Sequence, residues 1–146
     1  MLESVNINEI YTMNLVVGEA VPMTSCPFVG FAKEIYDNRA IKPEDTMYYK
    51  WIEDLVEKHS CVWGYIKTKE DIIARVERFK WLIDSLEGGY DEVQEDATLW
   101  IEDKKYGGLT AVRENGKVLL IDGTHRVSIM IMLGYDKVTL DIYKCE

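Results

Sequence analysis

The sequence is short of the residues that build metal sites and disulfide frameworks. It holds two histidines, three cysteines and three prolines in 146 residues. Two histidines argue against a His-rich metal centre, and Cys26, Cys61 and Cys145 are too widely spaced for zinc-site spacing. An odd, dispersed set of thiols fits a reducing cytoplasm better than a disulfide scaffold. No run of 18 apolar residues exists, so no membrane span is expected. The opening Met1-Leu-Glu-Ser-Val-Asn lacks the basic start and apolar core of a signal peptide, so a cytoplasmic location is expected. Basic residues are also in deficit: 17 Lys and Arg against 26 Asp and Glu give a formal net charge of −9. That balance argues against a broad surface tracking a nucleic-acid backbone, while leaving room for a local basic pocket.

What is present is an ordinary domain-sized chain, 47% hydrophobic and 29% charged, able to bury a real core. It reads as α+β, with helices packed on a small sheet. Ser4 to Ile10 alternates at Val5 and Ile7 as a short strand, with Ile10 opening a turn. Leu15–Val17 is a second apolar patch, and Gly18 to Pro27 reads as loop. Pro27 is placed to start a helix carrying Phe28, Phe31, Ile35 and Tyr36. Thr46 caps a second helix that runs to about His59 with Trp51, Ile52, Leu55 and Val56 as its stripe. Cys61 to Ile66 is apolar and β-prone around Gly64.

Thr68 caps the clearest helix, with Asp71 in a capping-box position. Its stripe is Ile72, Val76, Phe79, Ile83 and Leu86, and Gly88-Gly89 stops it. Arg75, Arg78 and Lys80 lie off that stripe and read as solvated. Ala97–Ile101 reads as a strand. Leu109–Arg113 and Lys117–Ile121 flank Asn115-Gly116, a strong two-residue hairpin signal. Lys137–Tyr143 is a last strand with Val138, Leu140 and Ile142 inward. No internal repeat, low-complexity tract or linker divides the chain.

The centre of the sequence is Val118 to Gly134: an apolar strand, a polar Asp122-Gly-Thr-His-Arg126 turn, and an almost wholly apolar helix ending at Gly134. Gly123 lets the backbone turn sharply, and Thr124 reads as the helix cap. Free N–H groups and the positive end of a helix dipole collect at such a turn and favour an anion. Arg126 adds a planar charged fork suited to phosphate or carboxylate. Alternative readings stand beside each of these. Arg126 binds phosphate or pairs with Asp122. His125 is a phosphate donor, a general acid/base, or a turn residue with its own hydrogen bonds. Asp122 orients His125 or Arg126, holds Mg²⁺, or simply ends the strand in an Asx turn. Thr124 is a cap or a phosphate ligand, and Ser128 offers close packing. Glu34 and Glu53 are distant candidates for a general base, and Trp51, Trp63, Trp81 and Trp100 for stacking a base, against solvation and core packing respectively.

Gly123-Thr-His-Arg-Val-Ser-Ile-Met-Ile-Met-Leu-Gly134 resembles the Gly-x-x-Arg…Gly box of the ParB/sulfiredoxin-like superfamily, in its Asp-Gly-x-His-Arg form. The resemblance covers roughly residues 70–144. It implies one domain over 1–146, a small mixed sheet with packed helices and the ligand turn at the sheet edge, and a family-divergent helical insertion over about 11–66. In that superfamily the box binds the phosphates of CTP in partition proteins and of ATP in sulfiredoxin and free-serine kinases. Sulfiredoxin has a catalytic cysteine where this chain has Thr124, which argues against sulfiredoxin chemistry. Partition proteins have a second basic residue where this chain has His125. The resemblance therefore implies a nucleotide-binding protein, ATP or CTP with Mg²⁺, among whose activities an ATP-dependent phosphotransferase acting on a small molecule or protein is the leading one. Gly123, Thr124, His125 and Arg126 would hold the phosphates, His125 and Asp122 would serve catalysis, and Asp122 the metal. The acidic balance and the absence of an assured second catalytic residue favour a non-enzymatic interaction or regulatory protein instead. A DNA-processing role, partition-like or nuclease-like, ranks third. The length is compatible with a viral or mobile-element protein.

Overall fold

The computed structural model describes residues 2–14, 19–88, 99–101, 104–106 and 109–144. Its strands are β1 (Leu2–Asn6), β2 (Ile10–Asn14), β3 (Glu19–Pro22), β4 (Leu99–Ile101), β5 (Lys104–Tyr106), β6 (Thr110–Glu114), β7 (Lys117–Asp122) and β8 (Lys137–Lys144). Its helices are α1 (Pro27–Asp37), α2 (Met47–His59), α3 (Lys69–Gly88) and α4 (Thr124–Met132). Six strands form one mixed sheet in the order β1-β8-β6-β7-β2-β3, and β4-β5 is a separate antiparallel ribbon. The β6–β8 and β2–β7 pairs are parallel, the others antiparallel. The chain is thus α+β.

Alternation sets the two faces of the sheet. Val5, Ile10, Ala111, Val118, Leu120, Val138, Leu140 and Ile142 are buried, while Met13, Ile121 and Tyr143 on the opposite face are exposed. The helices cover the inward face, and one hydrophobic cluster unites residues from Val5 to Ile142. The β6–β7 turn has Asn115 at φ 51° and Gly116 at φ 76°. Two positive φ values make this the primed hairpin turn that matches strand twist.

The helix starts are explained by their caps. Pro27 opens α1. Thr46 Oγ1 accepts from Tyr49 N at 3.0 Å, and Glu34 Oε1 accepts from Met47 N at 2.7 Å, so Glu34 is spent on the first turn of α2. At α3, Thr68 Oγ1 accepts from Asp71 N (3.2 Å) while Asp71 Oδ2 accepts from the N–H groups of Lys67 and Thr68 (both 3.0 Å). That reciprocal box uses an aspartate in the usual glutamate place. Helix α4 ends in a Schellman motif. Gly134, at φ 93°, donates to Ile131 O (3.0 Å) and Tyr135 N donates to Met130 O (3.0 Å).

Four local expectations need correction. Ile10 begins strand β2 rather than a turn, because its N-terminal neighbours Ile7–Glu9 form a 3-10 turn capped by Asn6. The stretch read as loop between Gly18 and Pro27 contains β3, held by its antiparallel register on β2, so the segment over 11–66 contributes two strands besides its helices. Cys61 to Ile66 is a tight turn closed by a single Val62–Ile66 bridge rather than a strand. The 122–126 turn lies at the end of an interior strand, since β7 is flanked by β6 and β2. The apolar patch at Leu15–Val17 and most of the segment between Gly89 and Gly108 lie outside the described residues.

Candidate functional site

Strand β7 delivers Asp122 and Gly123 to the start of α4. Gly123 is the N-cap, at φ 100° and ψ 18°. This corrects the reading of Thr124 as the cap: Thr124 is the first helical residue, and no side chain caps this end. The left-handed φ favours glycine. A Cβ there would also fall 2.3 Å from Leu109 Cδ2, and Leu109 is itself buried. The first helical bond runs from Val127 N to Gly123 O at 2.9 Å. The N–H groups of Thr124, His125 and Arg126 therefore precede the intrahelical ladder and sit at the positive end of the helix.

Arg126 and His125 leave this turn in different surroundings. The Arg126 side chain is 8% exposed and folds back on the turn, its Nη2 3.6 Å from where a Gly123 Cβ would stand. Nη2 also lies 3.8 Å from Asp122 Oδ2, whose side chain is 55% exposed. At that distance and exposure the pair contributes little stability. Burial of the guanidinium instead keeps a fixed positive charge beneath Gly123.

His125 enters an aromatic cage built by the other three helices and the 61–66 turn. Its ring stacks on Phe28 at 4.3 Å between centroids and 20° between planes. Phe79 and Trp63 meet it edge-on at 5.4 and 5.7 Å. Tyr48 Oη is 2.7 Å from Nε2. Arg75 Nη2 is 3.3 Å from both Nδ1 and Nε2. Arg75 Nη2 thus lies on the Cε1 side of the imidazole, which also stacks on Phe28. Arg75 Nε donates to Tyr48 Oη at 3.3 Å. Tyr48 is fully buried, and burial pushes its hydroxyl up to about 12. Its proton needs an acceptor, and His125 Nε2 is the one within reach. The imidazole is then neutral with its proton on Nδ1. Burial, followed by the charges of Arg75 and Arg126, lowers His125 to about 3. An imidazole lowered this far is mostly uncharged near pH 7, which disfavours it as a general acid there.

Asp122 is the only sequence-selected acid that reaches the turn. Glu34 caps α2, and Glu53 interacts with Tyr49. Among the described residues no group of three or more His, Cys, Asp and Glu side chains is placed to hold a metal ion. Asp122 alone suits only a cation already carried by phosphates, as Mg²⁺ commonly is. Among the described residues Ser128 Oγ, which is buried, has no conventional hydrogen-bond partner; the Cys26 thiol is its weak polar neighbour.

The structure also brings in residues that sequence reading passed over. Arg75 was expected in solvent, yet it is half-buried against Tyr48, Trp63 and His125. Its position beside Val76 and three residues after Ile72, on the margin of the α3 stripe, was the available signal. Lys80 is likewise engaged, through Ile41 O. Arg78 remains exposed. Among the described residues no helix is long and apolar enough to cross a membrane. Compared with known protein families, with curated proteins and with solved structures, the chain matches none.

Proposed function

We propose that the chain is a nucleotide-binding protein of ParB/sulfiredoxin-like type, taking ATP or CTP with Mg²⁺, with the phosphates seated at Gly123–Arg126. The observation that supports this most is the left-handed Gly123 between an interior strand and α4, with the Arg126 guanidinium folded beneath it. Backbone N–H groups, the helix dipole and a buried cation then converge on one small volume. Thr124 supplies a hydroxyl at the same end. Asp122 would accompany the metal, which neutralises phosphate charge when bound. His125 acts here as a strut: its cage fixes the first turn of α4, and its depressed basicity disfavours an acid role at neutral pH. A phosphotransferase activity on this site would draw its base from Asp122 or from the acceptor itself.

Titration calorimetry with ATP, CTP, ADP and GTP, with and without Mg²⁺, tests the reading. Saturable binding lost in Arg126→Ala, with the circular dichroism spectrum kept, is the expected result. Absence of heat with every nucleotide would sink it.

The second reading is a non-enzymatic interaction or regulatory protein on the same fold. It is favoured by the enclosure of His125 and by the 3.8 Å approach of Arg126 to Asp122, which gives the cation an internal partner. Nucleotide turnover that disappears in Arg126→Ala would remove it.

A further inference from the structure

Arg75 carries its charge into a half-buried place where every partner is neutral. Its Nε donates to Tyr48 Oη (3.3 Å), its Nη1 to Tyr65 Oη (3.4 Å), its Nη2 meets the His125 ring, and its Cζ stands 4.9 Å from the Trp63 ring centroid. Among the described residues no carboxylate is within ion-pair distance of Arg75 or Arg78. In a chain with a net charge of −9, acids are plentiful, and these two cations are left without one. A partly desolvated guanidinium with no counter-ion is costly, which points to an anion supplied from outside.

A recess is present at that place. It is bounded by Tyr65, Asp71, Ala74, Arg75 and Arg78, with a volume of about 250 Å³. Arg75 and Arg78 are three residues apart on α3, so both guanidinium groups reach the same side. Arg78 is held over the Trp81 ring at 4.1 Å. Asp71 lines the same recess as an ionised carboxylate: its Oδ2 accepts the Lys67 and Thr68 N–H groups at 3.0 Å, which holds it below the usual carboxylate range and leaves one negative charge beside the two guanidinium groups. Ala74 leaves the floor open. Tyr65 is 57% exposed; its oxygen already accepts from Arg75, so its proton is free to be donated outward. Trp63 and Gly64 both have positive φ, 51° and 77°, and Tyr65 N closes that turn on Val62 O at 3.3 Å. The turn thereby holds the exposed Tyr65 ring at the rim, with Trp63 against Arg75.

The donor set is two guanidinium groups and one phenol, set against the single Asp71 carboxylate, whose Oδ2 is engaged by Lys67 N and Thr68 N. A phosphate monoester dianion matches two cations in charge and takes several donors at once. The volume is below that of pockets which enclose whole drug-sized ligands. We propose that the recess between Arg75, Arg78 and Tyr65 binds the phosphate group of a small phosphorylated molecule. The site is on α3 and does not rest on the nucleotide reading of the Gly123 turn.

The full chain is titrated with phenyl phosphate at constant ionic strength, following the ring resonances of Trp63, Tyr65 and His125. Inorganic phosphate and phenol are run as separate arms. Saturable shifts with phenyl phosphate and weaker ones with inorganic phosphate are expected, with none from phenol. Exposed Arg78→Gln should weaken binding about tenfold, the scale of one charged hydrogen bond. Arg75→Lys, which keeps the charge and loses the fork, should weaken it similarly. Arg126→Ala should leave the dissociation constant unchanged. No saturation below about 10 mM, equal binding of phenol, or indifference to Arg78→Gln would overturn the site. Loss of binding in folded Arg126→Ala would move the anion to the turn and overturn it too. A phosphotyrosine peptide binding about a hundredfold more tightly than phenyl phosphate would replace the small molecule with a protein partner.

Discussion

Arg75 Nη2 lies 3.3 Å from both ring nitrogens of His125, and that ring stacks on Phe28 at 4.3 Å. The cation belongs to α3, the imidazole to α4 and the phenyl to α1. One residue of the candidate turn is therefore the point where three helices meet. The packing favours a neutral imidazole, since a second positive charge beside Arg75 and Arg126 would be repelled.

The first prediction follows from that neutrality. His125 is lowered from 6.5 to about 3 in the fold. Between those values the unfolded chain binds a proton that the native state does not. Its contribution to stability is thus fully present above about pH 6.5 and is lost as pH falls towards 3. The slope from this group alone approaches about 1.4 kcal/mol per pH unit inside the window. Denaturant unfolding at pH 7, 6, 5 and 4 should show a steeper decline in wild type than in His125→Gln. Equal slopes, or a His125 resonance titrating near pH 6.5, would refute the enclosure.

Tyr48→Phe tests the relay directly. The Tyr48 hydroxyl accepts from Arg75 Nε at 3.3 Å and gives its proton to His125 Nε2 at 2.7 Å. Removing it takes a hydrogen bond from two half-buried groups while changing volume little. The expected loss is about 1–3 kcal/mol, read from the urea midpoint at constant m-value. The His125 resonances should move as well. A loss indistinguishable from zero would mean that the bridge is not formed in solution.

The sequence made these elements legible to different degrees, for physical reasons. Helix α3 could be read because Thr68, Asp71 and its apolar stripe are local signals that agree. The Asn115-Gly116 hairpin and the Gly134 stop could be read because each demands positive φ. Strand β3 could not: Glu19–Pro22 is short and carries a proline, and it is a strand only because β2 pairs with it. The cap at Gly123 was misplaced by one residue because cap preference favours a hydroxyl, while the turn required the glycine's φ. The cage around His125 was hidden for a different reason. Phe28, Tyr48, Trp63, Arg75 and Phe79 are separated by up to a hundred positions from their meeting point in sequence terms, and each has a sufficient local explanation of its own. The strand, the glycine turn and the helix that follows it were legible at 118–134; which side chains of the turn are enclosed was not.

Ser128→Ala concerns a buried defect. Ser128 is fully buried, and among the described residues its Oγ has no conventional hydrogen-bond partner. An alanine fits the same space without an unsatisfied hydroxyl, so the change should be neutral or stabilising by about 1 kcal/mol. Thermal unfolding should place the variant's midpoint at or above wild type. A fall of several degrees would show that the hydroxyl does work with the Cys26 thiol or a buried water.

Gly123→Ala separates the two demands made on this position. A φ of 100° strains any residue with a Cβ, costing about 1–2 kcal/mol. The Cβ would also stand 2.3 Å from Leu109 Cδ2, and overpacking of a filled core adds about 1–3 kcal/mol. Leu109→Ala alone should cost about 2–5 kcal/mol as a cavity. In the double variant the clash is gone and the new methyl enters space that Leu109 has left, so the two losses should fall short of their sum by about 1–2 kcal/mol. Urea unfolding of the four proteins measures this cycle. Strict additivity would mean that backbone conformation alone reserves the position for glycine. The coupled result would show that the approach of Leu109, just before β6, also holds the turn closed, and that loosening it should open the space beneath Gly123 in which Arg126 lies.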